Sequence, residues 1–383
     1  MGRTLSWVTA GESHGKSLVG VLEGMPAGLE LSLERVDRDL ARRQCGYGRG
    51  GRMKIETDRI DLLAGTKGGT TLGGPLAFQV INKDAVIEQL PIPTNPRPGH
   101  ADLAGCQKFG HKDPRAILER ASARETATRV AHGGIARQVL EAFGIEVFAH
   151  TTELGGVSVR EDAWEAAGER REELRTKSDF LSLDPVADDS MRARVDEARA
   201  ERDSLGGIFE IRALGLPPGL GSFASGPERL TARLGGALFS IPAMKGVEFG
   251  SGFEAARIPG SLYHDPIVPA DPPGPWGRFG RESNRAGGLE GGMTSGQELV
   301  CRVAMKPIPS LKQGVPTVDF ESGEAVRATY QRSDVTSVPA AGVVGEAMVC
   351  LVLAQAFLEK FGGDSMQDIR AAFEGYAGRI RAL

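Results

Sequence analysis

The chain has 383 residues, 40% hydrophobic and 25% charged, with a formal net charge of −4. That balance is ordinary for a soluble globular protein and excludes a global pull toward nucleic acid or an anionic membrane; anion chemistry must come from local basic clusters. Cys45, Cys106, Cys301 and Cys350 form no C-x-x-C pair, which argues against a disulfide framework or a metal knuckle and for a reducing compartment. The stretch MGRTLSWVTAGESHG lacks the apolar run of a signal peptide, and no segment reads as the roughly 20 apolar residues of a membrane span. The expectation is a cytoplasmic protein without a metal centre.

The first β-like run, Leu5–Val8, leads into Gly11-Glu12-Ser13-His14-Gly15-Lys16-Ser17. With Ala10 in front, this fits a lax P-loop pattern. A P-loop must open a helix whose amides hold phosphate, whereas the continuation through Leu18–Glu23 reads as a strand. His14 then stands in a glycine-flanked loop, either as a group able to give up a proton near neutral pH or as an incidental loop residue. Residues 33–43 read as a helix behind Ser32 as N-cap. Next, Arg42–Lys54 gathers Arg42, Arg43, Arg49, Arg52 and Lys54 with no acid between Asp39 and Glu56. Arginine forks grip phosphate and carboxylate, and glycines admit the backbone close to a ligand. A solvated loop and a short RNA-binding patch are the competing readings.

After the β-like run Leu76–Ile81 comes Arg97-Pro98-Gly99-His100-Ala101-Asp102, stiffened by Pro96 and Pro98. It displays Arg97 and His100 or is simply a polar turn. Ser122-Ala123-Arg124-Glu125 is a capping-box pattern opening a helix over 125–143, with Gly144 at its end. Its amides, with Arg120 and Arg124, form a phosphate seat or only a cap. Residues 160–204 are dense in Glu, Arg and Asp, with Pro185 dividing two helical stretches, and read as a solvated helical excursion or a partner surface. Ile208–Ile211 and Leu299–Val303 are β-like, and Val343–Phe357 reads as a buried helix. Arg332-Ser333-Asp334 precedes it as an ion pair, or as a cation and a proton acceptor set at the helix start. Gly24–Leu29 is echoed by Gly215–Leu220, each between a β-like run and a helical pattern, which suggests a duplicated unit or coincidence.

Taken in order, GESHG, EGMPAGL, RRQ-x-GYGRGGRMKIE, RPGHAD, ERASARET, KGVEFGSGF, GGLEGGMTSG, MKPIPS and RSDVTSVPA resemble the chorismate synthase family, from residue 11 to about residue 346. The resemblance implies an α+β fold: a β-α-β sandwich with a helical layer between two antiparallel sheets and pseudo-duplicated halves. It implies one domain over residues 1–383, assembled as a homotetramer. The activity implied is an anti-1,4-elimination of phosphate from 5-enolpyruvylshikimate 3-phosphate giving chorismate, with reduced FMN (FMNH2) required and NADPH as a candidate reductant.

By motif, His14 is similar to the acid that protonates the departing phosphate, and His100 to the acid that stabilises the reduced flavin. Asp334 resembles the residue that helps the final hydrogen removal. Arg49, Arg52, Arg124 and Arg332 resemble the arginines that clamp the anionic substrate, while Arg43 and Arg49 match positions associated with NADP. Flavin contacts are implied at Arg120, Ala121, Ser122, Ala243, Gly291, Lys306, Pro307, Ile308, Pro309, Ser310 and Arg332. Ala121 and Pro242 depart from the usual serine and asparagine of the family pattern. An FMN-dependent oxidoreductase and, more distantly, a nucleic-acid-binding protein are the readings in competition.

Overall fold

The computed structural model describes residues 5–50, 56–330 and 334–383. Strands β1 (Ser6–Ala10) and β2 (Ser17–Glu23) flank the His14 loop and pair antiparallel, with Val8 opposite Val21. Helix α1 (Leu33–Gln44) follows, and β3 (Asp61–Ala64) and β4 (Leu76–Ile81) complete an antiparallel sheet in the order β1-β2-β4-β3. Helices α2 (Arg115–Ala121) and α3 (Thr126–Glu141) come next.

The second antiparallel sheet contains β5 (Glu146–Leu154), β6 (Val157–Ser158), β7 (Gly207–Leu214), β8 (Met244–Phe249) and β9 (Leu299–Met305), in the order β8-β9-β7-β5-β6. Between β7 and β8 lies α4 (Leu230–Phe239); α5 (Val338–Phe361) and α6 (Met366–Arg381) end the chain.

Each sheet buries one face, as its alternation requires. Leu76, Phe78 and Val80 point inward from β4, and Leu299, Cys301, Val303 and Met305 from β9. Helix α3 meets the first sheet, where His132 Nε2 lies 3.1 Å from the carbonyl of Val21. Helix α5 meets the second: a Cβ on Gly345 would fall 2.6 Å from the Phe209 ring. The two helices touch where Gly133 faces Ala347, so closely that a Cβ on Gly133 would lie 2.4 Å from that of Ala347. Glycine is the residue that permits such an approach.

Packing on several sides explains why α5 is apolar around its whole circumference. It corrects the expectation that no segment has membrane-spanning character. Val338–Phe361 is long and apolar enough, yet 94% of its apolar window is buried inside the fold. Its buried acid, Glu346, is neutralised from three directions by Arg42 (2.7 Å), Arg175 (2.9 Å) and Arg137, and it also accepts the amide of Ala149 at 2.7 Å.

Arg175 belongs to the charged 160–204 segment, which is therefore not merely a solvated excursion. Its guanidinium stacks 3.8 Å over Phe148 and anchors helix Arg171–Lys177 to the core, while Trp164 and Leu183 pack on the same phenylalanine. Helix Pro185–Ala200 is capped by Asp184, with Pro185 in its first turn, so proline starts a helix here.

The echoed glycine turns have the same geometry. Thr71 Oγ1 accepts from the Leu29 amide at 2.9 Å and donates to the Pro26 carbonyl at 2.6 Å. Thr294 Oγ1 accepts from the Leu220 amide at 2.8 Å and donates to the Pro217 carbonyl at 2.6 Å. Gly24 and Gly28, like Gly215 and Gly219, have positive φ.

Candidate active site

The loop between β1 and β2 is pinned by α2. Glu119, 2% exposed, accepts the backbone amide of His14 at 2.8 Å through Oε2 and approaches the ring Nδ1 at 3.0 Å through Oε1. Arg115 Nη1 adds a bond to Oε1 at 3.2 Å, and Ser13 N donates to the Glu119 carbonyl at 2.9 Å. Burial pushes the Glu119 carboxyl up, but the His14 ring and amide together with Arg115 outweigh it and hold the acid below its ordinary range. No hydrogen bond engages His14 Nε2 among the described residues.

Asn82 carries the link onward. Its amide donates to the carbonyls of Glu12 (3.1 Å) and Gly15 (2.8 Å), the two ends of the His14 turn, and its oxygen accepts Arg124 Nε at 2.8 Å. Arg124, 5% exposed, donates through Nη1 to both oxygens of Asp58 at 2.6 and 2.7 Å, and its buried Nη2 faces Glu56 at 3.6 Å without a hydrogen bond among the described residues. Arg43 donates to the same Asp58 at 2.7 Å. Burial lowers the Arg43 pKa despite Asp58, with Arg124 and Arg49 adding like-charge repulsion; Asp58 is held below its ordinary range because these two guanidiniums outweigh its burial. Arg43 is thus enclosed rather than displayed at the surface.

Arg49 meets Asp334 at 3.0 Å, and Asp334 also accepts Gly50 N at 2.5 Å and Ser337 Oγ at 2.7 Å, at the entry to α5. Val335 N donates to the Gly48 carbonyl at 2.8 Å, and Leu205 N to that of Val335 at 2.8 Å. Arg42, Arg43 and Arg49 therefore turn onto acids inside the fold and form no outward basic strip of the kind an RNA-binding patch requires.

A second histidine site is built from the 97–102 turn. His100 Nδ1 contacts Asp102, which Arg97 holds through Nε at 2.8 Å and Nη2 at 3.1 Å. Burial raises the Asp102 carboxyl, yet His100 and Arg97 together keep it far below the usual carboxylate range. Arg97 Nη1 reaches Ser310 Oγ at 3.3 Å, and a Cβ on Gly99 would lie 3.5 Å from Lys306 Nζ. Lys306 N donates to the Ala243 carbonyl at 3.0 Å, and Ala243 holds φ at +74°. Burial, with Lys245 nearby, lowers the Lys306 ammonium pKa. Ser204 Oγ donates to the Ile308 carbonyl at 2.7 Å, which ties this segment to Leu205 and so to Val335.

His100, Ala243 and the stretch Lys306, Pro307, Ile308, Pro309 and Ser310 thus form one neighbourhood, connected through backbone to Asp334 and Arg49. His14, Ser122 and Arg124 form another, with Ser122 Oγ 3.2 Å from Ser13 Oγ. Arg120 is committed to the end of β1, donating to Thr9 O (2.9 Å), Thr9 Oγ1 (2.7 Å) and Gly11 O (3.1 Å), and Ala121 closes α2 beside it. Gly291 lies elsewhere, in the Leu289–Thr294 hairpin that packs on the Pro217–Leu220 turn. Arg52 and Arg332 lie outside the described residues.

The capping box forms only by half. Ser122 Oγ accepts Arg124 N at 3.3 Å, but Glu125 turns to Arg129 at 2.8 Å instead of back to Ser122. Sequence reasoning gave no role to Glu119, Asp58 or Asn82, and none to Asp102. The available signal was their presence in or next to the motifs that carry the histidines and arginines. No group of three potential metal-binding His, Cys, Asp or Glu side chains occurs among the described residues.

A sequence model of the chorismate synthase family matches residues 5–358. The chorismate synthase of Rubrobacter xylanophilus is 51% identical over 97% of this chain and 96% of its own length. That of Geobacter sulfurreducens is 48% identical over 99% and 100%. A crystal structure of chorismate synthase superposes with a TM-score of 0.82 at 39% identity, covering 100% of both chains. The chain belongs to the chorismate synthase family and is a carbon–oxygen lyase acting on phosphate.

Proposed function

We propose that the chain eliminates phosphate from 5-enolpyruvylshikimate 3-phosphate to give chorismate, the last step of the shikimate pathway, with reduced FMN as cofactor. In this 1,4-elimination a C–O bond to phosphate and a C–H bond at the far end of the allylic system break. A second ring double bond forms, and phosphate and a proton depart. The observation that carries the reading is the link His14–Asn82–Arg124: a histidine anchored at Nδ1 with Nε2 unengaged, one side chain from a buried guanidinium whose Nη2 faces Glu56 at 3.6 Å and makes no hydrogen bond among the described residues. A departing phosphate needs both a proton and a cation.

His14 would hold that proton at Nε2, Arg124 and Arg49 would orient the anionic substrate, and Asp334 would accept the proton lost from carbon. Arg52 and Arg332 join the clamp by motif alone.

The Ala243, Lys306 and Gly99 neighbourhood fits a flavin phosphate and ring edge. It offers a half-buried ammonium without an ion-pair partner among the described residues, beside a glycine whose missing side chain leaves room. His100, Lys306–Ser310 and Ala243 would hold the group, with Arg120, Ala121, Ser122 and Gly291 as further motif-derived contacts. Bound reduced FMN supplies a reduced ring beside the substrate, with no net oxidation over the turnover.

Arg43 and Arg49 are the motif positions for NADP; Arg43's enclosure favours a structural part for it. The packing of α3 on one sheet and α5 on the other supports a single sandwich domain, and the matched Thr71 and Thr294 turns support duplicated halves. Homotetramer assembly is supported by the outward face of the first sheet, where Val8 and Ile81 are 66% and 57% exposed. Sedimentation tests that assembly. A cytoplasmic location accords with a pathway fed by small phosphorylated metabolites.

The decisive experiment is an anaerobic assay with substrate and reduced FMN. Chorismate and phosphate should appear in equal amounts while reductant is not consumed in proportion. One reductant per turnover would instead support the flavin oxidoreductase.

A further inference from the structure

Among the described residues, two histidines have a buried carboxylate at Nδ1, but only one of those carboxylates also binds the histidine's own backbone. Glu119 accepts the His14 amide through Oε2 at 2.8 Å and faces its ring through Oε1 at 3.0 Å. It is held in turn by Arg115 at 3.2 Å, one helical turn back on α2. A carboxylate has only lone pairs to offer, so Nδ1 must present a hydrogen to it.

We propose that Glu119 is the positioning residue of His14: it keeps the ring proton on Nδ1 and leaves Nε2 as the nitrogen through which the ring gives its proton to a ligand. This rests on the reading of His14 as the acid for departing phosphate. The step balances simply: the Nε2–H bond breaks, the proton goes to a phosphate oxygen, and the ring is left neutral with its remaining proton on Nδ1. Charged groups on the elements that hold the ring include Glu12 on its own loop, against Gly15, Arg115 on α2, bonded to Glu119, and Arg124, one side chain away through Asn82. None of the three makes a hydrogen bond to the ring.

The geometry gives the isosteric variant Glu119→Gln a specific outcome. Its amide has one oxygen, which the fixed His14 N–H requires, so its NH2 turns toward Nδ1. The amide oxygen also lies 3.1 Å from Nδ1, but it is taken by the His14 N–H, so the 3.0 Å contact sets an N–H against Nδ1, and the neutral ring accepts there and carries its hydrogen on Nε2. Nitrogen-15 NMR of labelled, substrate-free protein distinguishes the two tautomers directly. Nδ1–H is expected in the wild-type chain above the histidine titration range, and Nε2–H in Glu119→Gln. Glu119→Ala, which removes any acceptor, should lose the Nδ1 preference, and it serves if the Gln variant does not fold.

Turnover should fall by about 10²-fold or more in Glu119→Gln with substrate KM changed little, because the imidazolium now faces an N–H. The same tautomer in wild type and both variants overturns the proposal, as does a loss confined to KM. Correct tautomers without any elimination in the wild-type chain would instead overturn the proposed function and leave the positioning intact.

Discussion

Thr71 and Thr294 do the same job at two turns far apart in the chain: each hydroxyl accepts a leucine amide and donates to a proline carbonyl three residues earlier. Each is 3% exposed, so water cannot replace the bonds. Thr71→Val and Thr294→Val keep the shape and delete the hydroxyl. Each should cost about 1–3 kcal/mol by leaving a buried amide unpaired. Because the two turns share no bonding partner, the double variant should lose the sum. Urea midpoints at constant slope measure this. A neutral Val variant at either turn would mean that its glycines alone hold it.

The echo that leads to this pair was visible in the sequence because glycine and proline constrain backbone locally. Strands such as Leu76–Ile81 and helices α1, α3 and α5 were legible for a related reason: burial on one face, or all round, leaves a periodic record. What periodicity could not reveal was ion pairing across the chain. Glu119 reaches His14, and Arg175 reaches Glu346, through contacts set by tertiary packing alone. The charged 160–204 segment reads as solvated for that reason, since its surface charges dominate the composition while one arginine fastens it to the core.

His132 predicts a particular acid sensitivity. It is fully buried in α3, and burial pushes its pKa down to about 4 from 6.5, against the pull of the Val21 and Thr128 carbonyls. The unfolded chain therefore takes up the proton first as pH falls. The stability from neutral His132 is complete above about pH 6.5 and is lost as pH drops toward 4, about 2 kcal/mol of it by pH 5. Urea unfolding at pH 7 and pH 5 should show that loss in the wild-type chain and a smaller one in His132→Gln. Equal losses in both would assign the acid sensitivity to other groups.

Arg124 has a structural and a binding part to separate. Arg124→Ala leaves Asp58, fully enclosed, with Arg43 as its remaining hydrogen-bonded partner, and should destabilise the fold by about 3–5 kcal/mol. Adding Asp58→Asn removes the stranded charge and should recover part of that stability. Substrate affinity should stay reduced by tenfold or more in both variants, since a charge-assisted bond is worth about 1.5–3 kcal/mol. Affinity returning with stability would show that Arg124 acts only on the fold.

Asp334 gives the sharpest separation of chemistry from binding. Its carboxylate receives Gly50 N and Ser337 Oγ at the start of α5 and pairs with Arg49. Asp334→Asn keeps one oxygen for the Gly50 amide and preserves the size of the side chain, so the helix entry should stand. The amide cannot accept a proton, and it presents an N–H where Arg49 had an anion. If Asp334 takes the proton from carbon, turnover should fall by about 10²–10⁴-fold while FMN and substrate bind within a few-fold of wild type. Ser337→Ala is the control: it removes a bond to Asp334 without touching its basicity, and should cost much less turnover. Flavin and substrate titrations beside anaerobic chorismate formation read both quantities. Full activity in Asp334→Asn would leave the residue as an anchor for Arg49 and the 48–50 backbone. Weakened binding with unchanged turnover at saturation would make it a ligand contact, and the acceptor of the carbon proton would have to be sought elsewhere.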